Sequence, residues 1–111
     1  MAYNRLSMYE TTISADATHT VVTYRKTQIV RFNSAEIVLN FGGWDTVTTR
    51  RKMNQASKQF NLGYRVWRDK GETWIGWKDV RFGAGGRWAE LRYEYAPDKI
   101  VIQRPVVAQE A

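Results

Sequence analysis

The chain of 111 residues is 43% hydrophobic and 14% aromatic, which suits one domain with a single core and excludes a disordered chain. It has no cysteine, which excludes disulfides, thiolate chemistry and a Cys-ligated zinc, and no apolar run approaches membrane-spanning length. The net charge of +6 sits in one block: residues 1–49 balance four basic against four acidic, residues 50–87 hold ten basic against three acidic, and residues 88–111 are net −1. Such asymmetry points to a polyanionic partner.

In chain order, residues 1–18 read as a loosely ordered arm with a turn near "SADAT". They lack the apolar stretch of a secretory leader, so a soluble cytoplasmic protein is expected. Three short runs follow: "HTVVTYR" (19–25), "QIVRF" (28–32) and "EIVLNF" (36–41). They are rich in Val, Ile, Tyr and Phe and bounded by turn residues, as in an antiparallel meander. Gly42-Gly43 ends that sheet. In the next segment Thr49, Met53, Ala56 and Phe60 recur at helical spacing. A helix is predicted from about 49 to 61, capped by Thr48 or Thr49 and stopped at Asn61 or Gly63.

Next, "YRVWRD" and "TWIGWK", joined by Lys70-Gly71-Glu72, form a β-hairpin. Gly83 to Gly86 is read as a flexible loop. "RWAELRYEY" (87–95) alternates apolar and charged residues as a half-buried strand does, with a helix left open. "KIVIQR" (99–104) is a last strand, and residues 105–111 are a frayed tail. The fold class is α+β: one domain over 19–104, with an antiparallel sheet of meander plus hairpin packed on one principal helix.

Catalytic patterns are lacking. The one histidine, His19, has only Asp16 nearby in sequence, and a metal site needs more ligands. "GAGGR" lacks the Lys-Ser/Thr of a phosphate loop, and the serines fit no nucleophile elbow. A non-enzymatic protein without cofactor or metal is expected.

Two features point to binding. Arg50, Arg51 and Lys52 fall in the first turn of the predicted helix, where the dipole disfavours cations by a few tenths of about 1 kcal/mol each. Free N–H groups with three cations would suit phosphate. The face opposite the apolar stripe carries Arg51, Gln55 and Lys58, with Asn54 beside them, and Arg, Asn and Gln can read base edges. The second feature is the stretch from Tyr64 to Trp88, which holds four of the five tryptophans and six basic residues. Strand alternation puts Tyr64 and Val66 on one face and Arg65 with Trp67 on the other. In the partner strand Trp74 and Gly76 share a face, as do Ile75 and Trp77. Arg65, Arg68, Lys70 and Lys78 would extend a phosphate patch, and Trp67 or Trp77 would stack on bases.

The segment from Ile37 to Trp77, with Gly-Gly-Trp at 42–44, "TVTTRRKMNQAS" at 46–57 and "FNLGYRV" at 60–66, resembles small, largely uncharacterised proteins of tailed bacteriophages and related mobile elements. The resemblance spans about residues 20–77. It implies a viral origin and expression inside a bacterial cell, and carries over no activity and no site residues. It favours binding of nucleic acid or of a host protein.

The reading that follows is a DNA- or RNA-binding protein using Arg50, Arg51, Lys52, Asn54, Gln55, Lys58, Arg65, Trp67, Arg68, Lys70, Trp77 and Lys78. The alternatives are a factor that inhibits or redirects a host defence or transcription protein, a virion structural or homo-oligomeric protein, and a small-anion pocket at the helix N-terminus. No membrane partner is expected.

Overall fold

A computed structural model of the chain describes residues 10–43, 45–80 and 86–104. Its elements are β1 (Thr11–Ala15), β2 (Thr20–Tyr24), β3 (Thr27–Phe32), β4 (Glu36–Leu39), α1 (Val47–Gln59), β5 (Arg65–Asp69), β6 (Glu72–Asp79), β7 (Arg87–Arg92), a 3-10 turn (Tyr93–Tyr95) and β8 (Ile100–Gln103). The fold is α+β with two antiparallel sheets, one in the order β1-β2-β3-β4-β8 and one in the order β5-β6-β7. The expected meander and hairpin thus lie in separate sheets. The last strand returns to the meander beside β4, while residues 87–92 extend the hairpin.

Thr11–Ala15, assigned above to a loosely ordered arm, is instead a full strand paired with β2. Asp16 makes the turn between them. Its carboxylate accepts from the Thr18 and His19 amides (2.7 and 2.8 Å) and from the Thr18 hydroxyl. The hydrogen bond from the Thr18 amide, followed by that from His19, lowers the Asp16 pKa to about 2. Residues 1–9, 44, 81–85 and 105–111 lie outside the described residues, and with them most of the loop expected at Gly83 to Gly86 and the tail expected from 105.

The core follows strand alternation in β4 and β8, while an irregularity in the β2–β3 register, where Val22 faces Val30 and Thr23 faces Gln28, buries the adjacent Ile29 and Val30 together. Ile29 and Val30 of β3, Ile37 and Leu39 of β4, and Ile100 and Ile102 of β8 are buried with Met53 and Ala56 of α1 and Val66 and Ile75 of the hairpin. The helix starts two residues earlier than its apolar stripe suggests. Thr46 is the cap, in extended conformation, and its hydroxyl accepts from the Thr49 amide at 3.1 Å. The helix ends as expected in left-handed backbone: Asn61 has φ +56°, and the Leu62 amide reaches back to the Ser57 carbonyl at 2.8 Å.

Side chains of α1 bind the backbone of β5. Asn54 donates to the Val66 carbonyl (2.6 Å) and accepts from the Val66 amide (2.8 Å). The Ser57 hydroxyl donates to the Tyr64 carbonyl, and the buried Tyr64 phenol donates to the Met53 carbonyl. Asn54 therefore acts as one residue of a strand against the edge of β5. Asn54→Ala strands both Val66 groups and is expected to destabilise the fold by about 2 kcal/mol; an unshifted urea midpoint would refute this role.

Burial raises the Tyr64 pKa from its ordinary 10.0. The folded state keeps the phenol proton where an unfolded tyrosine loses it. The resulting stability is complete below pH 10 and is lost as pH rises above it. Tyr64→Phe should flatten the decline in stability above pH 10 while costing about 1 kcal/mol at neutral pH. Denaturant melts at both pH values measure the two effects.

Candidate nucleic-acid interface

The hairpin turn contains two residues, Lys70 and Gly71, both at positive φ (+54° and +80°), as in a type I′ turn. Asp69 therefore faces Glu72, and the register runs Trp67 to Trp74, Arg65 to Gly76, and on to β7 with Trp74 to Arg92, Gly76 to Glu90 and Lys78 to Trp88. One face of this sheet carries Val66, Ile75 and Leu91 toward the core. The other carries Arg65, Trp67, Trp74, Gly76, Lys78 and Trp88 outward.

Three tryptophans thus share the outer face. Trp88 is 45% exposed, and Trp67 and Trp74 are half-buried. Gly76 lies at their centre. A Cβ there would collide with Cζ2 of Trp88 and lie 2.9 and 3.0 Å from Cζ3 and Cη2 of Trp67. The missing side chain lets both indoles lie across the β6 backbone. The Arg65 guanidinium sits 5.6 Å from the centre of the Trp67 ring, within cation–π range. The Trp88 indole N–H donates to Glu90 at 2.8 Å, which fixes that ring.

The candidate residues divide by location. Asn54, Lys58, Arg65 and Trp67 line one groove of about 500 Å³ between α1 and β5, beside the tryptophan face. Arg51, Lys70 and Lys78 are exposed, and Gln55 is half-buried. The remaining candidates have partners within the fold, although Arg68 stays exposed. With the cap at Thr46, Arg50, Arg51 and Lys52 follow the first turn and do not crowd the helix terminus. Arg50 pairs with Asp45, which also accepts from Thr73 and lies 3.6 Å from Arg68. Lys52 is buried on the opposite side of the helix, its ammonium 5.1 Å over the Tyr24 ring, and desolvation lowers its pKa. The Asn54 amide is occupied by Val66 and has no spare edge for a base. Trp77 points to the core side and packs against the buried cluster, so it is not a stacking residue of the outer face.

Trp74, Gly76 and Trp88 are the site residues missing from the sequence reading. A three-residue turn pairs Trp67 with Ile75, whereas the two-residue turn pairs it with Trp74. The glycine in second place of Lys70-Gly71 was the available signal, because type I′ turns favour it there. The helix N-terminus does border a groove of about 410 Å³, lined by Arg25, Phe41, Thr46, Thr48 and Thr49.

A protein-family model described as Kyanoviridae Gp96 protein matches residues 2–90. The chain belongs to this family. It is accordingly a phage protein, in agreement with the viral origin inferred from the sequence. The match runs from the N-terminal residues into β7, so it takes in the helix, the hairpin and Trp88. No curated protein and no solved structure matches the chain. Among the described residues no helix is long and apolar enough to cross a membrane.

Gly76→Val should displace Trp88 and Trp67 from the sheet. The expected outcome is a loss of near-ultraviolet circular dichroism from the indoles and a stability loss of about 1–3 kcal/mol; unchanged tryptophan signals would mean the rings do not lie over Gly76.

Proposed function

We propose that this phage protein is a non-enzymatic nucleic-acid-binding protein that holds a single strand across the outer face of the β5-β6-β7 sheet, in the cytoplasm of a bacterial host. The observation that carries this reading is the set of three tryptophans on one exposed sheet face, cleared by Gly76 and flanked by Arg65 and Lys58. Flat rings at a solvent face offer stacking to bases of any sequence, and adjacent cations track the phosphates. An unpaired strand suits this face better than a duplex, whose bases are already stacked on each other. Trp67, Trp74 and Trp88 are the stacking residues, and Lys58, Arg65 and Lys78 the phosphate contacts.

One observation favours a second reading. The outer face carries Arg65, Lys78 and Arg92 against Asp69, Glu72 and Glu90, so its charges balance. Tryptophan and arginine within a mixed-charge rim also suit a protein partner, here a host protein whose activity the phage blocks or redirects. Pull-down from host lysate with and without nuclease separates the readings, because a bridge of nucleic acid disappears on digestion.

The direct test is titration of tryptophan fluorescence with single-stranded and duplex oligonucleotides at low and high salt. Quenching by the single strand is expected, weakening as salt rises. Trp67→Ala and Trp88→Ala should each cost about 1–3 kcal/mol of binding. Lys58→Gln with Arg65→Gln should reduce the salt slope by about 1.4, the contribution of two phosphate contacts on a single strand. Absence of binding at low salt sinks the nucleic-acid reading.

A further inference from the structure

The outer surface of the larger sheet has a different chemistry. Arg31 of β3 faces Val38 of β4, and Val38 faces Val101 of β8, so one row crosses three adjacent strands. This row floors a groove of about 610 Å³. Val101 is 50% exposed and Val38 half-buried, which leaves an apolar strip on the floor. Lys26 from the β2–β3 turn and Lys99 from the approach to β8 reach the same groove, with Gln28 and Asn40 between them. Three cations from three separate parts of the chain thus meet at one concavity.

Among the described lining residues the single carboxylate is Glu36, which faces His19 Nε2 at 3.6 Å. The exposed Arg31 lies beside the histidine, its Nη2 3.4 Å from His19 Nδ1. The histidine is held by its own backbone bond to Asp16 and by Asn33 at 3.3 Å.

We propose that this groove is a binding site for a small phosphate ester of nucleoside monophosphate size. Arg31, Lys26 and Lys99 would take the phosphoryl group, and the Val38–Val101 strip the organic part. Planar guanidinium with two ammonium groups matches phosphate geometry and charge. The volume lies within the roughly 300–1,000 Å³ usual for small-ligand sites. None of Trp67, Trp74 and Trp88 lines this groove, so the site is separate from the single-strand face and can be read apart from it.

The test is titration of the isotope-labelled protein with adenosine monophosphate, adenosine and inorganic phosphate at low salt, followed by amide and indole NMR signals. The monophosphate should saturate and shift amides of β3, β4 and β8 while leaving the indoles of Trp67, Trp74 and Trp88 in place. Inorganic phosphate should bind the same residues more weakly, and adenosine not at all. Arg31→Gln and Lys99→Gln change exposed residues and should each weaken the monophosphate about tenfold, the loss of one charge-assisted contact. Trp67→Ala should leave this affinity unchanged. The proposal is overturned if the monophosphate fails to saturate, if its shifts centre on the indoles, or if neither variant weakens it. Shifts in this groove from an oligonucleotide alone would overturn it too, assigning the face to a polymer.

Discussion

The arrangement depends on how α1 holds the edge of β5. An edge strand carries unpaired N–H and C=O groups, and burying them without partners costs several kcal/mol. Asn54 and Ser57 supply those partners from the helix, and Tyr64 returns a hydrogen bond to the helix backbone. Because the contact is made to backbone groups, it fixes the strand's position as well as its distance. Val66 and Ile75 are then directed into the core, and every odd position of β5 is directed out. The exposed tryptophan face is a geometric consequence of a helix–strand joint buried beneath it.

The basic block between residues 50 and 87 is less uniform in space than along the chain. Asp45 gathers Arg50 and Arg68 and ties the helix start to Thr73 of β6. Lys52 lies in the interior under Tyr24. These cations serve the fold. Those left at the surface, Arg51, Lys58, Arg65, Lys70 and Lys78, and Arg68 beside Asp45, lie on the helix exterior, around the hairpin and at its tip. Meanwhile Lys26, Arg31 and Lys99, from segments with no net positive charge in the sequence, form a basic concavity on the other sheet. Local charge counts register composition, whereas the pairing of strands decides which charges meet.

The strands of the meander, the helix and the hairpin were legible in the sequence because each rests on periodicity within a few residues. The return of β8 to β4 was not, since it joins residues some sixty positions apart and no local pattern specifies a partner. β1 was missed because Thr11 to Ala15 has one large apolar residue, Ile13, and its strand character comes from pairing with β2. At the site, Arg65 and Trp67 were placed correctly on one face by alternation alone. Trp74 and Trp88 required the register, which hangs on whether the turn counts two residues or three. The assignment of Trp77 to the stacking surface failed for the same reason. Lys52 and Asn54 look like solvated helix positions until the two sheets that flank the helix are known.

The seal on β5 also governs how the smaller sheet can associate. Over Tyr64 to Val66 the backbone groups that another strand would seek are occupied by side chains of the same molecule. Strand addition is closed along that stretch of the β5 edge. A side-chain seal made by Asn54 and Ser57 thus does for this stretch of β5 what a neighbouring strand would do, and removes it as a template for another chain.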